Sequence, residues 1–180
     1  VPNPFLKVTA KPVTVIDEDI LTILDDMMET MYHANGIGLA ATQIAIDKRL
    51  IVMDCGKTKF ETQNISEEEY NEKIKDEQFE PFPIKMINPE IISLGKNLEE
   101  REEGCLSIPG YNAKIKRPSS LKVKYTDENK KDNIIDAEGL LATCIQHEID
   151  HLNGILFIDH LSKLKREIIL KKAIKEYSKN

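Results

Sequence analysis

Residues Gln146-His147-Glu148-Ile149-Asp150-His151 restrict the fold more than any other stretch of the chain. On an α-helix, positions i and i+4 lie one turn apart and only about 40° apart around the axis. His147 and His151 can therefore hold one metal ion between them, with Cβ atoms roughly 5–6 Å apart. Glu148 is rotated by about 100° from His147. That places it beside such an ion, where a carboxylate can take a proton from water that the ion activates. The helix has marked ends, with Asp136 as its expected cap and Asn153-Gly154 as a left-handed stop. Histidines merely satisfied by hydrogen bonds are the bland alternative; the spacing and the framing point instead to a metal-dependent hydrolase.

A chain of 180 residues with 41% hydrophobic and 31% charged residues has the size and composition of one globular domain with a real core. No apolar run reaches the ~18–20 residues of a membrane span. The net charge of −6 argues against a whole-surface nucleic-acid binder and leaves room only for a local basic patch. Cys55, Cys105 and Cys144 make an odd count without close pairs, which argues against a disulfide scaffold and for a reducing compartment. The first residue is Val1, so a removed targeting segment upstream is compatible with the sequence.

Residues 1–16 read as an extended, Pro-punctuated arm. Asp17-Glu18-Asp19 opens a helix whose Ile20, Ile23, Leu24, Met27, Met28 and Met31 share one apolar face, with His33 at its end and Asn35-Gly36 as its stop. Arg49–Asp54 reads as a buried strand, followed by Cys55 as a small buried hydrophobe. Residues 57–80 are polar and acidic, as in a solvated surface insertion. Ile84–Ile87 and Ile91–Leu94 read as two strands split by Asn88-Pro89, and Glu99–Gly110 as irregular. Lys114–Lys116 and Leu121–Tyr125 alternate with period two, and Asp127–Lys131 is a hairpin turn leading to Asn133-Ile-Ile. Ile155–Asp159 is a short apolar run. Ser162 caps a last helix, at about 162–178, with Leu164, Ile168, Ile174 and Tyr177 expected inward and Lys163, Lys165, Arg166, Lys171, Lys172 and Lys175 on a basic, solvated face. His160 has no partner in sequence. The sum is an α+β fold, a single domain over residues 1–180 with antiparallel or mixed sheets packed around the metal-binding helix.

Two histidines leave a catalytic site one protein ligand short. Cys144 lies seven residues before His151, and on a straight helix those positions are ~10 Å apart along the axis, too far to close on one small ion. It reads as wall. Cys105 stands on an irregular Glu-Gly-Cys-Leu-Ser segment, where Gly104 allows close backbone approach, and is the better third ligand. One thiolate and two imidazoles suit Zn²⁺ or Fe²⁺.

Gly36-Ile-Gly-Leu-Ala-Ala-Thr-Gln43, Glu103-Gly-Cys-Leu-Ser107 and Gln146-His-Glu-Ile-Asp-His151 together resemble the three ordered motifs of the peptide deformylases, with likeness over nearly the whole chain outside 57–80. The resemblance implies hydrolysis of the formyl group from N-formylmethionine on new polypeptides, with release of formate. It implies one divalent ion, usually iron(II), with zinc, cobalt or nickel able to take the site. By the same likeness Cys105, His147 and His151 hold the metal and Glu148 moves the proton. The Gln43 amide and the Leu106 backbone N–H would stabilise the oxyanion. Fixed neutral donors aimed at a developing alkoxide fit that role physically. The resemblance further implies an extended peptide along Ile37 and Gly38 and along Ser107 to Gly110. Its methionine pocket would be lined by Ile37, Glu103, Leu140, Thr143, Cys144 and His147. Asn112 stands where the family often has Arg in Gly-Tyr-Arg, which bears on how downstream substrate residues are held.

The implied partner is the N-formylmethionyl nascent chain. Ribosome docking through the basic C-terminal helix is the implied second contact, without a membrane and without sequence-specific nucleic-acid binding. Deformylation belongs to bacterial-type translation; the insertion and the Val1 start favour a plastid-like or mitochondrial setting, with a bacterial cytoplasm as the alternative. Two rivals remain. Another His-Glu-x-x-His zinc peptidase would cleave peptide bonds and ignore a formyl group. A metal-stabilised nascent-chain binding module would need no base, and Glu148 and Gln43 count against it.

Overall fold

Helix α1 (Glu18–His33) starts where the Asp17 carboxylate accepts the Ile20 N–H at 3.0 Å. Acid lines its first turn, and Ile20, Leu24, Met27, Met28 and Met31 bury along one side, the face that the spacing predicts. The computed structural model describes residues 3–56 and 81–177, so the acidic stretch expected at 57–80 lies outside the described residues.

Strands β1 (Gly38–Ala40), β2 (Leu50–Asp54), β3 (Pro83–Leu94), β6 (Ser120–Thr126) and β7 (Asp132–Glu138) form one antiparallel sheet in the order β1-β2-β3-β6-β7. Strands β4 (Leu98–Gly104) and β5 (Asn112–Pro118) form a separate antiparallel pair. Every residue of β2 is buried because both of its faces are covered. With a side-chain period of two, Leu50 and Val52 face the α1 cluster while Ile51 and Met53 face the helix that carries the histidines. That helix, α2 (Gly139–Leu152), lays Ala142, Ile145, Ile149 and Leu152 against β2, β3, β6 and β7. A third cluster, around Ile108, Ile115, Leu156, Phe157 and Ile158, seals its far side.

Several expectations are corrected by the fold. Residues 83–94 are one strand, because Asn88 at φ 54° makes a bulge and its side chain bonds both the N–H and the carbonyl of Val13 at 2.8 Å. Glu99–Gly104 is strand, not irregular: it pairs residue by residue with β5, and only Glu103 turns inward. Asp136 sits within β7 and caps nothing; α2 begins at Gly139, φ +57°, after Glu138, whose side chain makes no capping bond. The N-terminal arm contains a single helical turn, Pro4–Lys7, capped by Asn3. In the last helix, α3 (Lys163–Tyr177), the Ser162 carbonyl accepts the Arg166 N–H, but the inward residues are Ile169, Leu170 and Ala173. Leu164, Ile168, Ile174 and Tyr177 are all exposed. The run Ile155–Asp159 tightens into one helical turn, Phe157–His160.

The end of α2 is tied to the N-terminal arm: the Ala10 N–H bonds the Leu152 carbonyl at 2.8 Å, and Gly154, φ +72°, lies so close to Lys7 that a Cβ would meet its carbonyl oxygen at 2.6 Å. Alanine at 154 meets both a disfavoured backbone region and a backbone overlap. Gly154→Ala is therefore expected to destabilise the protein by at least ~1 kcal/mol, read as a lowered midpoint in denaturant unfolding.

Candidate metal centre and active site

Helix α2 presents His147 and His151 one turn apart, with ring centroids 4.9 Å from each other. The turn after β4 carries Cys105 to the same point, its Sγ 3.1 Å from His151 Nε2. The ligand atoms of Cys105, His147 and His151 all lie within 4.8 Å of one another. Ligands at about 2.0–2.3 Å from a tetrahedral ion stand roughly 3.3–3.6 Å apart, so these three atoms are close enough that they would hold one ion together. Cys144 is not part of this cluster. Its thiol points to the Ile37 carbonyl at 3.6 Å and is held protonated by a hydrogen bond to Cys55 and by burial.

The tautomer of His147 follows from its neighbour. Nδ1 lies 2.9 Å from Glu103 Oε2, so it carries the proton and leaves Nε2 as the donor for a cation. Glu103 is 5% exposed and is forked by Arg117, whose Nε and Nη2 reach its two oxygens at 2.6 and 3.0 Å. Burial raises the Glu103 carboxyl, but the bonds from His147 and Arg117 outweigh it and hold the group below its usual range.

The donor set fits a divalent cation on two further observations. Burial lowers the basicity of His147. The Cys105 and Glu103 bonds, with the charge of Glu148, reverse that and push it up to about 10, so a proton is held where positive charge is wanted. His151, buried at 1% exposure, is pushed down to about 3 chiefly by desolvation and remains a neutral ligand. Glu148 Oε2 and His151 Nδ1 are buried without a partner among the described residues. An orphaned buried carboxylate oxygen beside two imidazoles and a thiol suits a group that would take a proton from water bound there.

The surrounding cleft has a volume of about 420 Å³ and is lined by Ile37, Gly38, Gln43, Glu103, Cys105, Leu106, Gly110, Leu140, Thr143, Cys144, His147 and Glu148. Ser107 lines a neighbouring cavity instead. Gln43 stands on the helical turn Ala41–Ile44; its Oε1 accepts the Ala40 N–H at 2.8 Å, which turns its amide nitrogen toward Ser107 Oγ at 3.1 Å and Cys105 Sγ at 3.5 Å. The Leu106 N–H has no hydrogen-bond partner among the described residues. Gly38 abuts the base: a Cβ there would lie 2.4 Å from Glu148 Oε1 and 2.8 Å from Cys144 Sγ. Arg117, Asp150 and His160 were beyond sequence reasoning. They meet only because β5 and the Phe157–His160 turn both pack on α2, and the sole signal is an arginine in a lysine-rich strand.

An α+β domain whose buried helix aligns two histidines and a carboxylate with a cysteine from a second element defines a metal-dependent hydrolase. The profile of the polypeptide deformylase family matches residues 1–167. A peptide deformylase of Agrobacterium fabrum is 45% identical over 174 residues, covering 97% of this chain and 91% of that protein. One of Bradyrhizobium diazoefficiens is 49% identical over 173 residues, covering 95% and 90%. The crystal structure of peptide deformylase from Ehrlichia chaffeensis superposes with a TM-score of 0.85 at 38% identity, covering 99% of this chain and 94% of that one. This chain belongs to the peptide deformylase family.

Burial pushes the Glu148 carboxyl up from 4.5 to about 7 in the metal-free protein. A raised folded-state value stabilises the fold below the unfolded value and loses that contribution as pH rises through the folded one. Metal-free protein is thus expected to lose stability between pH 4.5 and about 7 through this group. Glu148→Gln is expected to flatten that fall, by up to about 3 kcal/mol, in chemical denaturation followed against pH.

Proposed function

We propose that Cys105, His147, His151, Glu148, Gln43 and Leu106 carry out in this chain the reaction of its family, hydrolysis of the formyl group from the N-terminus of newly made polypeptides with release of formate. The convergence of one thiol and two imidazoles beside an unpartnered buried carboxylate is the observation that carries the reading. A divalent ion held by Cys105, His147 and His151 would supply Lewis acidity, lowering the pKa of water toward ~7. Iron(II) is our assignment, with zinc, cobalt or nickel able to substitute, since a thiolate with two imidazoles suits these ions.

Glu148 takes the proton from the attacking water and returns it to the leaving amine. Its burial supports a base poised near neutrality rather than at the usual carboxylate value. The Gln43 amide nitrogen and the Leu106 N–H are the donors for the oxyanion, and the Ala40 bond to Gln43 Oε1 holds the amide in that orientation. The formylmethionine side chain enters between Ile37, Leu140, Thr143 and Cys144, with the peptide running extended past Gly38 and Gly110. Ser107 acts from behind, through its hydroxyl on Gln43. Asn112 lines the cleft, and no Lys or Arg does so among the described residues. We assign residues 1–180 to one catalytic domain with an acidic insertion at 57–80.

The lysines at 163, 165, 171, 172 and 175 are exposed on α3, which supports ribosome docking through that helix. No helix among the described residues is long and apolar enough to cross a membrane. Bacterial-type translation places the chain in an organelle or a bacterial cytoplasm, and the bacterial sources of the relatives above support the cytoplasm.

Four variants test the roles. Glu148→Ala should keep its metal and lose turnover by about 10²–10⁴-fold, measured as formate released from a formyl-Met peptide; normal turnover would remove the base assignment. Cys105→Ala should lose bound metal in elemental analysis while Cys144→Ala retains it, and the reverse would overturn the ligand set. Gln43→Leu should lower turnover by about 10²–10³-fold. An unformylated twin peptide should remain uncleaved; its cleavage would favour a general zinc peptidase.

A further inference from the structure

His160 is a histidine outside the metal helix that meets a carboxylate: its Nε2 lies 2.7 Å from Asp150 Oδ2. The same oxygen accepts Arg117 Nη1 at 2.8 Å. Arg117 spends its remaining directed nitrogens on Glu103, and Glu103 Oε2 also receives His147 Nδ1. An unbroken line of hydrogen bonds thus runs from a half-exposed histidine on the surface to a buried imidazole of the metal cluster.

We infer that His160 is a positioning residue for the metal centre, acting through Asp150, Arg117 and Glu103 on His147. Asp150 is the outermost carboxylate of the line, its side chain 17% exposed against 4% for Glu103. A carboxylate held from one side only can swing toward water; the His160 N–H supplies the second bond and keeps Oδ2 on Arg117. Arg117 is planar and rigid, so its contact with Asp150 fixes the angle at which it forks Glu103. Glu103 Oε2 is shared between Arg117 Nη2 and His147 Nδ1, so a tilt of the guanidinium is transmitted to the ligand ring.

The mount of His160 is stiff. It ends the turn Phe157–His160, whose Phe157 and Ile158 are each 1% exposed and whose Asp159 accepts the Leu156 N–H at 2.8 Å. Phe157 also stacks on His147, ring centroids 6.3 Å apart and planes inclined by 22°. One turn therefore holds the same ligand from two directions, by ring packing and by the bonded line. An ordinary surface ion pair contributes little to anything; this one differs because its acceptor oxygen is shared with a buried arginine.

The inference rests on the metal assignment above. The test measures Co²⁺ and Zn²⁺ affinity by competition with a chelator and records the thiolate-to-cobalt absorption of the Co²⁺-loaded protein. His160→Ala should weaken metal binding by about tenfold, the lower end for partners behind a ligand, and shift the cobalt spectrum. His160→Gln, which keeps an N–H for Asp150, should restore most of both. His160→Ala added to Asp150→Asn should cost nothing beyond Asp150→Asn alone. Unchanged affinity and spectrum in His160→Ala, equal losses in the Ala and Gln variants, or additive losses in the double variant would each overturn the inference. Metal retained by Cys105→Ala would instead overturn the ligand assignment on which it stands.

Discussion

The fork of Arg117 on Glu103 is the interaction on which the arrangement of the site depends. Both groups lie at 5–6% exposure, and taking two charges out of water is costly. Their mutual bonds, with Asp150 and His147 completing the set, offset that cost, while removal of one partner would strand a buried charge at about 3–5 kcal/mol. The pair is weak evidence for stability and strong evidence for geometry. The fork itself joins β4 to β5; the bonds it carries outward, Arg117 to Asp150 and Glu103 to His147, fasten that small sheet to α2, and the sheet leads directly into the Cys105 turn. Without it the thiol and the two imidazoles would belong to elements free to slide past one another.

The large sheet plays the complementary part. Because β2 is covered on both faces, α1 and α2 are registered against the same strand through alternate residues. Gly38, on the neighbouring strand, then lies within contact of Glu148, and the turn that follows delivers Gln43. The cleft is the seam between this large sheet and the small one, with α2 as its floor.

Much of this was legible in the chain. The α1 face followed from helical spacing, and the two histidines from the geometry of one turn. Cys105 is preferred to Cys144 because a straight helix does not close ligands at i, i+3 and i+7 around one small ion. The misreadings have physical causes. Glu99–Glu103 carries no apolar alternation because its strand lies in a two-stranded sheet and buries a single side chain, so nothing in its hydropathy marks it as β. Helix α3 has apolar residues on several sides, and spacing alone does not reveal that Ala173 with Ile169 and Leu170, rather than Leu164 and Ile168, meets the core. Asp136 looked like a cap because strand β7 continues to Glu138, so the helix starts later than the polar signal. The partners of Glu103 were hidden because ion pairs across sequence separations such as 14 and 33 residues leave no local trace.

The strap from Ala10 to Leu152 bears on how such a molecule is made. Its two ends are separated by most of the chain, and the three stretches that compose the site are spread from Gly36 to His151. Contacts this far apart in sequence form late, after a large loss of chain entropy. On a ribosome the first strands must wait, with α1 packed and the β2 face awaiting α2 still bare, until the histidine helix has cleared the exit tunnel. An enzyme that trims other chains as they emerge is itself inactive until its own chain has been synthesised past His151.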